Sequence, residues 1–197
     1  MRLLLFIVSI GLTIPVSASS WELEKNEGGI KVFTREIADS DVKEFKVNAT
    51  MNASRLAIAK IVSHASDFMN WIPKVENSRV LEVVSPTKRI IYYEVGMPWP
   101  LDNRDCVMDF WVETDNDLGI TYVKFKENLT AKPEVDGIVR MKKSSGFWKL
   151  TTITENTTMV DYQFAGDPGG SLPAWLVNMF LVDTPYDMFV TLREKVE

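Results

Sequence analysis

The stretch DPGGSLPAWLVNMFLVDTPYDMFVTLREKVE, Asp167 to Glu197, decides how the rest of the chain is read. Its opening residues are turn formers, and from Leu172 onward it has the apolar period of a helix. Ser171 is the expected N-cap, because its hydroxyl can accept from an unpaired first-turn amide. Pro173 then falls in the first turn, where proline forfeits no helical hydrogen bond. The segment is long enough for one helix of about six turns. Trp175, Leu176, Met179 and Phe180 form one apolar stripe, and Leu172, Val182, Tyr186, Phe189 and Val190 broaden it. A stripe that wide needs cover on several sides. Pro185 predicts a kink, or the end of one helix and the start of another.

Everything upstream reads as strands that can supply the cover. The clearest runs from Glu44 to Met51, with Phe45, Val47, Ala49 and Met51 on one face and Glu44, Lys46, Asn48 and Thr50 on the other. That is a sheet with one wet side and one covered side. It comes after a strand at Lys31–Ile37 and a turn at Ala38–Asp41. From Asn52 to Ala65 the period becomes helical, with Ser54 or Asn52 as cap, and a second short helix ends at Pro73. Further strands are expected at Val75–Val84, Lys88–Met97, Asp105–Glu113, Ile120–Lys126, Gly137–Thr154 and Met159–Gly166. The Gly137–Thr154 stretch is expected to bulge near Ser144-Ser145-Gly146. About eight strands without strand–helix alternation argue against a doubly wound parallel sheet. They give an antiparallel meander that curls around one broad apolar helix.

The chain has 197 residues, suited to one domain. Residues 1–18 read as a leader: Arg2 is a short positive start, Leu3–Val16 is apolar, and Val16-Ser17-Ala18 ends in small residues. The apolar run is short of the ~20 residues a spanning helix needs. The expectation is therefore an exported protein, periplasmic or secreted, with a mature domain spanning 19–197. Cys106 is alone, so neither an intrachain disulfide nor a C-x-x-C metal site is open to this chain. Net charge is −5. That sign argues against nucleic acid, and against anionic membrane surfaces as general partners.

Five short motifs occur in order: Trp71-Ile72-Pro73, Pro98-Trp99-Pro100, Asn103-Arg104-Asp105, Gly146-Phe147-Trp148-Lys149-Leu150, and the run Asp167–Asn178. Together they resemble the START domains, the lipid-transfer members of the Bet v 1-like, helix-grip group. The resemblance extends from about Trp21 to the C-terminus and is nearest to small bacterial single-domain members. It implies an α+β helix-grip fold: a curved antiparallel sheet around a long C-terminal helix, with two short helices after strand two. It also implies a hydrophobic tunnel between sheet and helix.

No catalytic constellation is visible: there is no G-x-S-x-G, Gly-rich phosphate loop or H-E-x-x-H. His64, the single histidine, reads as a helix-end residue. Arg104 shares strand parity with Cys106, Met108, Phe110 and Val112, which aims a guanidinium at the covered face. A buried charge there needs a carboxylate, such as Asp102, Asp105 or Glu94, or an anionic ligand group. Met51, Met97, Met108, Phe110, Trp148, Tyr162, Met179 and Phe180 are candidate tunnel lining, together with Trp99, Arg104 and Trp175. Methionine adapts to irregular shapes, which suits a flexible apolar guest. The segments around Trp99 and around Phe68 and Trp71 could act as lids or as static packing. The expected function is carriage or sequestration of a lipid or other hydrophobic small molecule, with no covalent chemistry, cofactor or metal. Transient membrane contact and a monomeric state belong to the same expectation. Two rivals stand beside it: a cyclase- or hydrolase-like enzyme using the same cavity, and an interaction module using the groove.

Overall fold

The computed structural model describes residues 20–37, 43–170 and 172–197. Among these, ten strands form one sheet: β1 (Glu22–Glu27), β2 (Ile30–Glu36), β3 (Lys43–Met51), β4 (Val75–Val83), β5 (Lys88–Val95), β6 (Asn103–Asp115), β7 (Ile120–Glu127), β8 (Ile138–Arg140), β9 (Lys142–Thr154) and β10 (Thr157–Asp167). Neighbours run β1-β2-β3-β10-β9-β7-β6-β5-β4, and β8 lies parallel to β6. The last strand closes against the third, with Phe164 opposite Phe45 and Val160 opposite Ala49. The expected leader at 1–18, the turn at Ala38–Asp41 and the Ser171 cap lie outside the described residues.

Alternation works as the sequence suggests in β3, where Phe45, Val47, Ala49 and Met51 are all buried. Two strands carry no such signal. β1 is a polar edge with Leu23 exposed, and β8 is three residues long. The irregularity expected near Ser144–Gly146 falls slightly earlier. The strand is interrupted at Met141, between β8 and β9, Lys143 takes φ 53°, and the β9–β10 register slips between Lys142 and Ser145.

Gly146 is fixed by close approach. A Cβ there would sit 2.7 Å from the Phe125 ring and closer still to the Gln163 carbonyl. Gly146→Ala is expected to cost at least about 2 kcal/mol in urea unfolding, because both neighbours belong to the sheet. A loss under about 0.5 kcal/mol would mean the strands move apart freely.

Between β3 and β4 run α1 (Arg55–Val62) and a 3-10 turn (Ala65–Asn70). Ser54 caps α1, accepting the Ala57 N–H at 3.3 Å. Phe68 and Trp71 of the second segment are buried, so this segment packs into the core. The C-terminal segment is helical in three parts: α2 (Ala174–Asn178), a π-helical turn (Met179–Asp183) and α3 (Thr184–Val196). Pro173 precedes the first turn, at the cap position with ψ 145°. The wide turn accommodates Pro185, whose ring would clash with the Leu181 carbonyl in a regular helix. The Thr184 N–H accordingly reaches back to the Met179 carbonyl. The sheet grips α3 through Phe189 and Leu192, both fully buried, and Phe189 stacks on Trp148 with ring centres 5.6 Å apart. No helix among the described residues is long and apolar enough to cross a membrane.

Candidate ligand cavity

Sheet and helix do not meet everywhere. Between them lies a cavity of about 350 Å³. Strand alternation supplies one wall, with Phe45 of β3, Tyr93 and Val95 of β5, and Tyr162 and Phe164 of β10. The opposite wall is the helical series Val177, Phe180, Leu181, Thr184 and Met188. A second pocket of about 70 Å³ adjoins it and shares Ile72, Val75, Tyr93, Tyr162 and Met188.

The candidate residues divide between these spaces and the rest of the fold. Met97, Arg104, Tyr162 and Phe180 line the main cavity. Met108, Phe110 and Trp148 line the smaller pocket, with Tyr162 again. Met51, Trp99, Trp175 and Met179 line neither. Met51 is fully buried core, paired with Thr158 at the far end of β3. Trp99 is 93 % exposed, on a connector whose flanking prolines cannot join a strand ladder. Trp175 is 60 % exposed because its neighbour Leu176 occupies the inward position of the short helix α2. Met179 is half-buried and stands beside the inward pair Phe180 and Leu181. Leu181, Met188, Val177, Tyr93 and Phe45 are lining residues that the sequence candidates omitted. The helical period was right in the terminal segment, but its phase lies one to two positions further on.

Arg104 does point inward and is 4 % exposed, yet its partners are not the expected carboxylates. Its Nε donates to the Pro168 carbonyl at 3.2 Å, Nη2 to that of Gly169 at 3.3 Å, and Nη1 to that of Asp102. Among the described residues no carboxylate lies within 4.0 Å of it. The reason is strand parity. Asp105, one residue on, faces the opposite side of β6 and pairs there with Arg140. Glu94 accepts from Asn103 at 2.7 Å on that outer side. Burial lowers the Arg104 pKa, with Asp102 acting the other way.

Arg104 thus ties the Asp167–Gly170 hinge to β6. The hinge needs its glycines, since Gly169 and Gly170 take φ of 70° and 68°. Arg104→Gln is expected to destabilise by about 2 kcal/mol, the order of a charge-assisted hydrogen bond. Hydrogen exchange should quicken first at Gly169 and Gly170. Unchanged exchange there would contradict the tie.

Two phenols and a thiol meet behind Arg104. Burial raises the Tyr93 and Tyr162 hydroxyls well above their usual range, so both stay protonated. Burial also pushes the Cys106 thiol up to about 12, and its sulfur lies 3.5 Å from that of Met141. At pH 8 the thiolate fraction is then about one in ten thousand. Iodoacetamide at pH 8 is expected to label Cys106 only after denaturation. Rapid labelling of the folded chain would contradict this burial. His64 is exposed at the start of the 3-10 turn and does not line the cavity.

A curled antiparallel sheet, a gripped C-terminal helix and an apolar cavity between them define the helix-grip class. The START domain profile matches residues 13–197, and the chain belongs to that family. It is 31 % identical to an uncharacterized protein of Pseudomonas aeruginosa over 180 residues, covering 91 % of this chain and 88 % of the relative. It is 25 % identical to the mouse phosphatidylcholine transfer protein, covering 83 % of this chain and 77 % of that one. The crystal structure of a STAR-related lipid transfer protein fragment from Xanthomonas axonopodis superposes with a TM-score of 0.79 at 33 % identity. That match covers 88 % of this chain and 97 % of the fragment.

Proposed function

We propose that this protein binds a lipid or similar hydrophobic molecule in the 350 Å³ cavity and carries or sequesters it outside the cytoplasm, without covalent chemistry. The cavity itself carries the reading. Its wall is mostly apolar side chains from four strands and the terminal helix, interrupted by few polar groups, as small-molecule sites generally are. Burying apolar ligand surface supplies the driving force, at about 25 cal/mol per Å² before ordering costs. The mouse phosphatidylcholine transfer protein and the Xanthomonas axonopodis lipid transfer protein fragment are relatives with a lipid-transfer name, which favours the same role here. Residues 1–18 serve as the leader that directs export, and the domain acts as a monomer. The exposed Trp99 ring stands two residues beyond the cavity-lining Met97. It is the group to enter a membrane interface briefly during exchange, since indole favours that boundary.

The test is transfer between vesicles. The mature chain is added to zwitterionic donor vesicles loaded with fluorescent lipids of several classes, and their arrival in acceptor vesicles is recorded. At least one class should move faster in proportion to protein, and Trp99→Ala should slow it. No acceleration for any class, and no lipid retained by the protein, would overturn the reading.

A further inference from the structure

The outer face of the sheet, away from the cavity, carries a pattern that lipid binding does not use. One cross-strand row runs Phe33, Lys46, Gln163, Phe147, Lys124 and Trp111, each residue opposite the next from β2 through β3, β10, β9 and β7 to β6. Directly opposed residues share a face of the sheet. At about 4.8 Å per strand the row is about 24 Å long. In the neighbouring row Lys149 stands opposite Tyr122. Rings and ammonium groups meet along both rows. Lys46 Nζ lies 4.5 Å from the Trp21 ring centre and 4.8 Å from that of Phe33, and Lys124 Nζ lies 5.1 Å from that of Tyr122. The Tyr122 and Phe147 rings are 5.9 Å apart. All five rings are partly exposed. The helix grip is on the other face, where Phe189 meets Trp148.

This face has cations to spare, although the chain as a whole carries −5. Arg35, Lys88 and Lys124 pair with Glu44, Asp109 and Glu113, but Lys31, Lys46, Lys126 and Lys149 have no carboxylate within ion-pair range among the described residues. Asp161 lies on the same face, accepts from Asn48, and has its pKa raised by burial. Lysine is a mobile point charge that serves carboxylate and sulfate alike.

The spacing decides among anionic partners. Rings alternate with cations from strand to strand, so no contiguous apolar patch forms of the kind a protein interface centres on. The sheet is twisted and curled, so its outer face meets a flat bilayer over little area. A nucleic-acid strand, with a phosphate on every nucleotide, needs a broader positive field than four lysines on an acidic chain supply. A sugar ring has a flat C–H face that lies against an aromatic ring, and it carries its acid group at the edge. Along the row Phe147 and Trp111 are about 10 Å apart, and Phe33 is about 14 Å from Phe147, so a chain of several sugars spans them. We infer that this outer face binds an acidic polysaccharide, with pyranose rings on Phe33, Phe147 and Trp111 and acid groups on the unpaired lysines.

The test is calorimetric titration of the mature chain with short alginate, heparin and neutral dextran oligosaccharides. Alginate or heparin should bind and dextran should not, and the two acids separate carboxylate from sulfate. The affinity should fall at least tenfold between about 50 and 200 mM salt, as counterion release requires. Phe147→Ala and Lys149→Gln should each weaken binding at least fivefold, while Phe147→Trp and Lys149→Arg should keep it, with folding checked by circular dichroism. Lipid transfer by Lys149→Gln should be unchanged, because this face is separate from the cavity. Binding that is indifferent to Phe147→Ala would reduce the face to a diffuse charge and overturn the stacking. Equal binding of dextran would overturn the role of the lysines. Binding of no oligosaccharide, or tighter binding of oligothymidylate or of phosphatidylglycerol vesicles, would overturn the assignment.

Discussion

Arg140→Ala should lower stability by about 3–5 kcal/mol, because it strands a buried carboxylate. Asp105 and Arg140 side chains are 1 % and 2 % exposed and meet in a forked pair, with Nε at 2.5 Å and Nη2 at 3.1 Å from the two carboxylate oxygens. The same guanidinium donates to the Lys132 and Pro133 carbonyls at 3.1 and 3.2 Å. One side chain therefore pins both β8 and the preceding loop over the outer face of β6. Removing it leaves Asp105 charged without water and two carbonyls without donors. With a urea slope of about 2 kcal/mol per M, the midpoint should fall by about 2 M. The double change Asp105→Leu with Arg140→Met should recover most of the loss, since an apolar pair of similar size carries no desolvation penalty. A single-variant loss below about 1 kcal/mol would mean that water reaches the pair.

Phe189→Ala should cost a similar amount, about 3–5 kcal/mol, by opening a cavity in the grip itself. Phe189 is fully buried and stacks on Trp148 at an interplanar angle of 16°. Trp148 also lies 4.3 Å from Tyr162 and 6.3 Å from Trp71, so one indole connects the helix, the sheet and the segment after α1. The coupling of the ring pair should be about 0.5–1.5 kcal/mol in a double-mutant cycle of Phe189→Ala with Trp148→Ala. Strictly additive effects would show that the rings contribute area alone.

The sheet was legible where a strand had one wet face, as in β3, because the period of two is set by the pleat. It was illegible in β1, a polar edge with no covered face to mark it, while β8 falls inside the expected Gly137–Thr154 strand and only its separation from β9 and its parallel pairing with β6 went unread. The inward turn of Arg104 came from parity, but its partners could not. They are main-chain carbonyls of residues 168 and 169, which every residue type supplies equally. The pairing of Asp105 with Arg140 joins residues 35 apart across a loop, and no local pattern announces it. In the terminal helix the apolar width was plain, while the facing direction was not. The π-helical turn before Pro185 shifts the phase, which is why Leu181 and Met188 line the cavity and Met179 does not. Aromatic size misled at Trp99 and Trp175, which sequence alone cannot distinguish from buried tryptophans such as Trp148.

Native mass spectrometry of the mature chain, purified without detergent from its own source, bears most directly on the cavity as a lipid site. A single adduct in the lipid mass range, lost on organic extraction and restored by adding the extract back, is the expected result. A bare mass that stays bare after incubation with the lipid panel would contradict it, and the cavity would then be a packing defect with no guest.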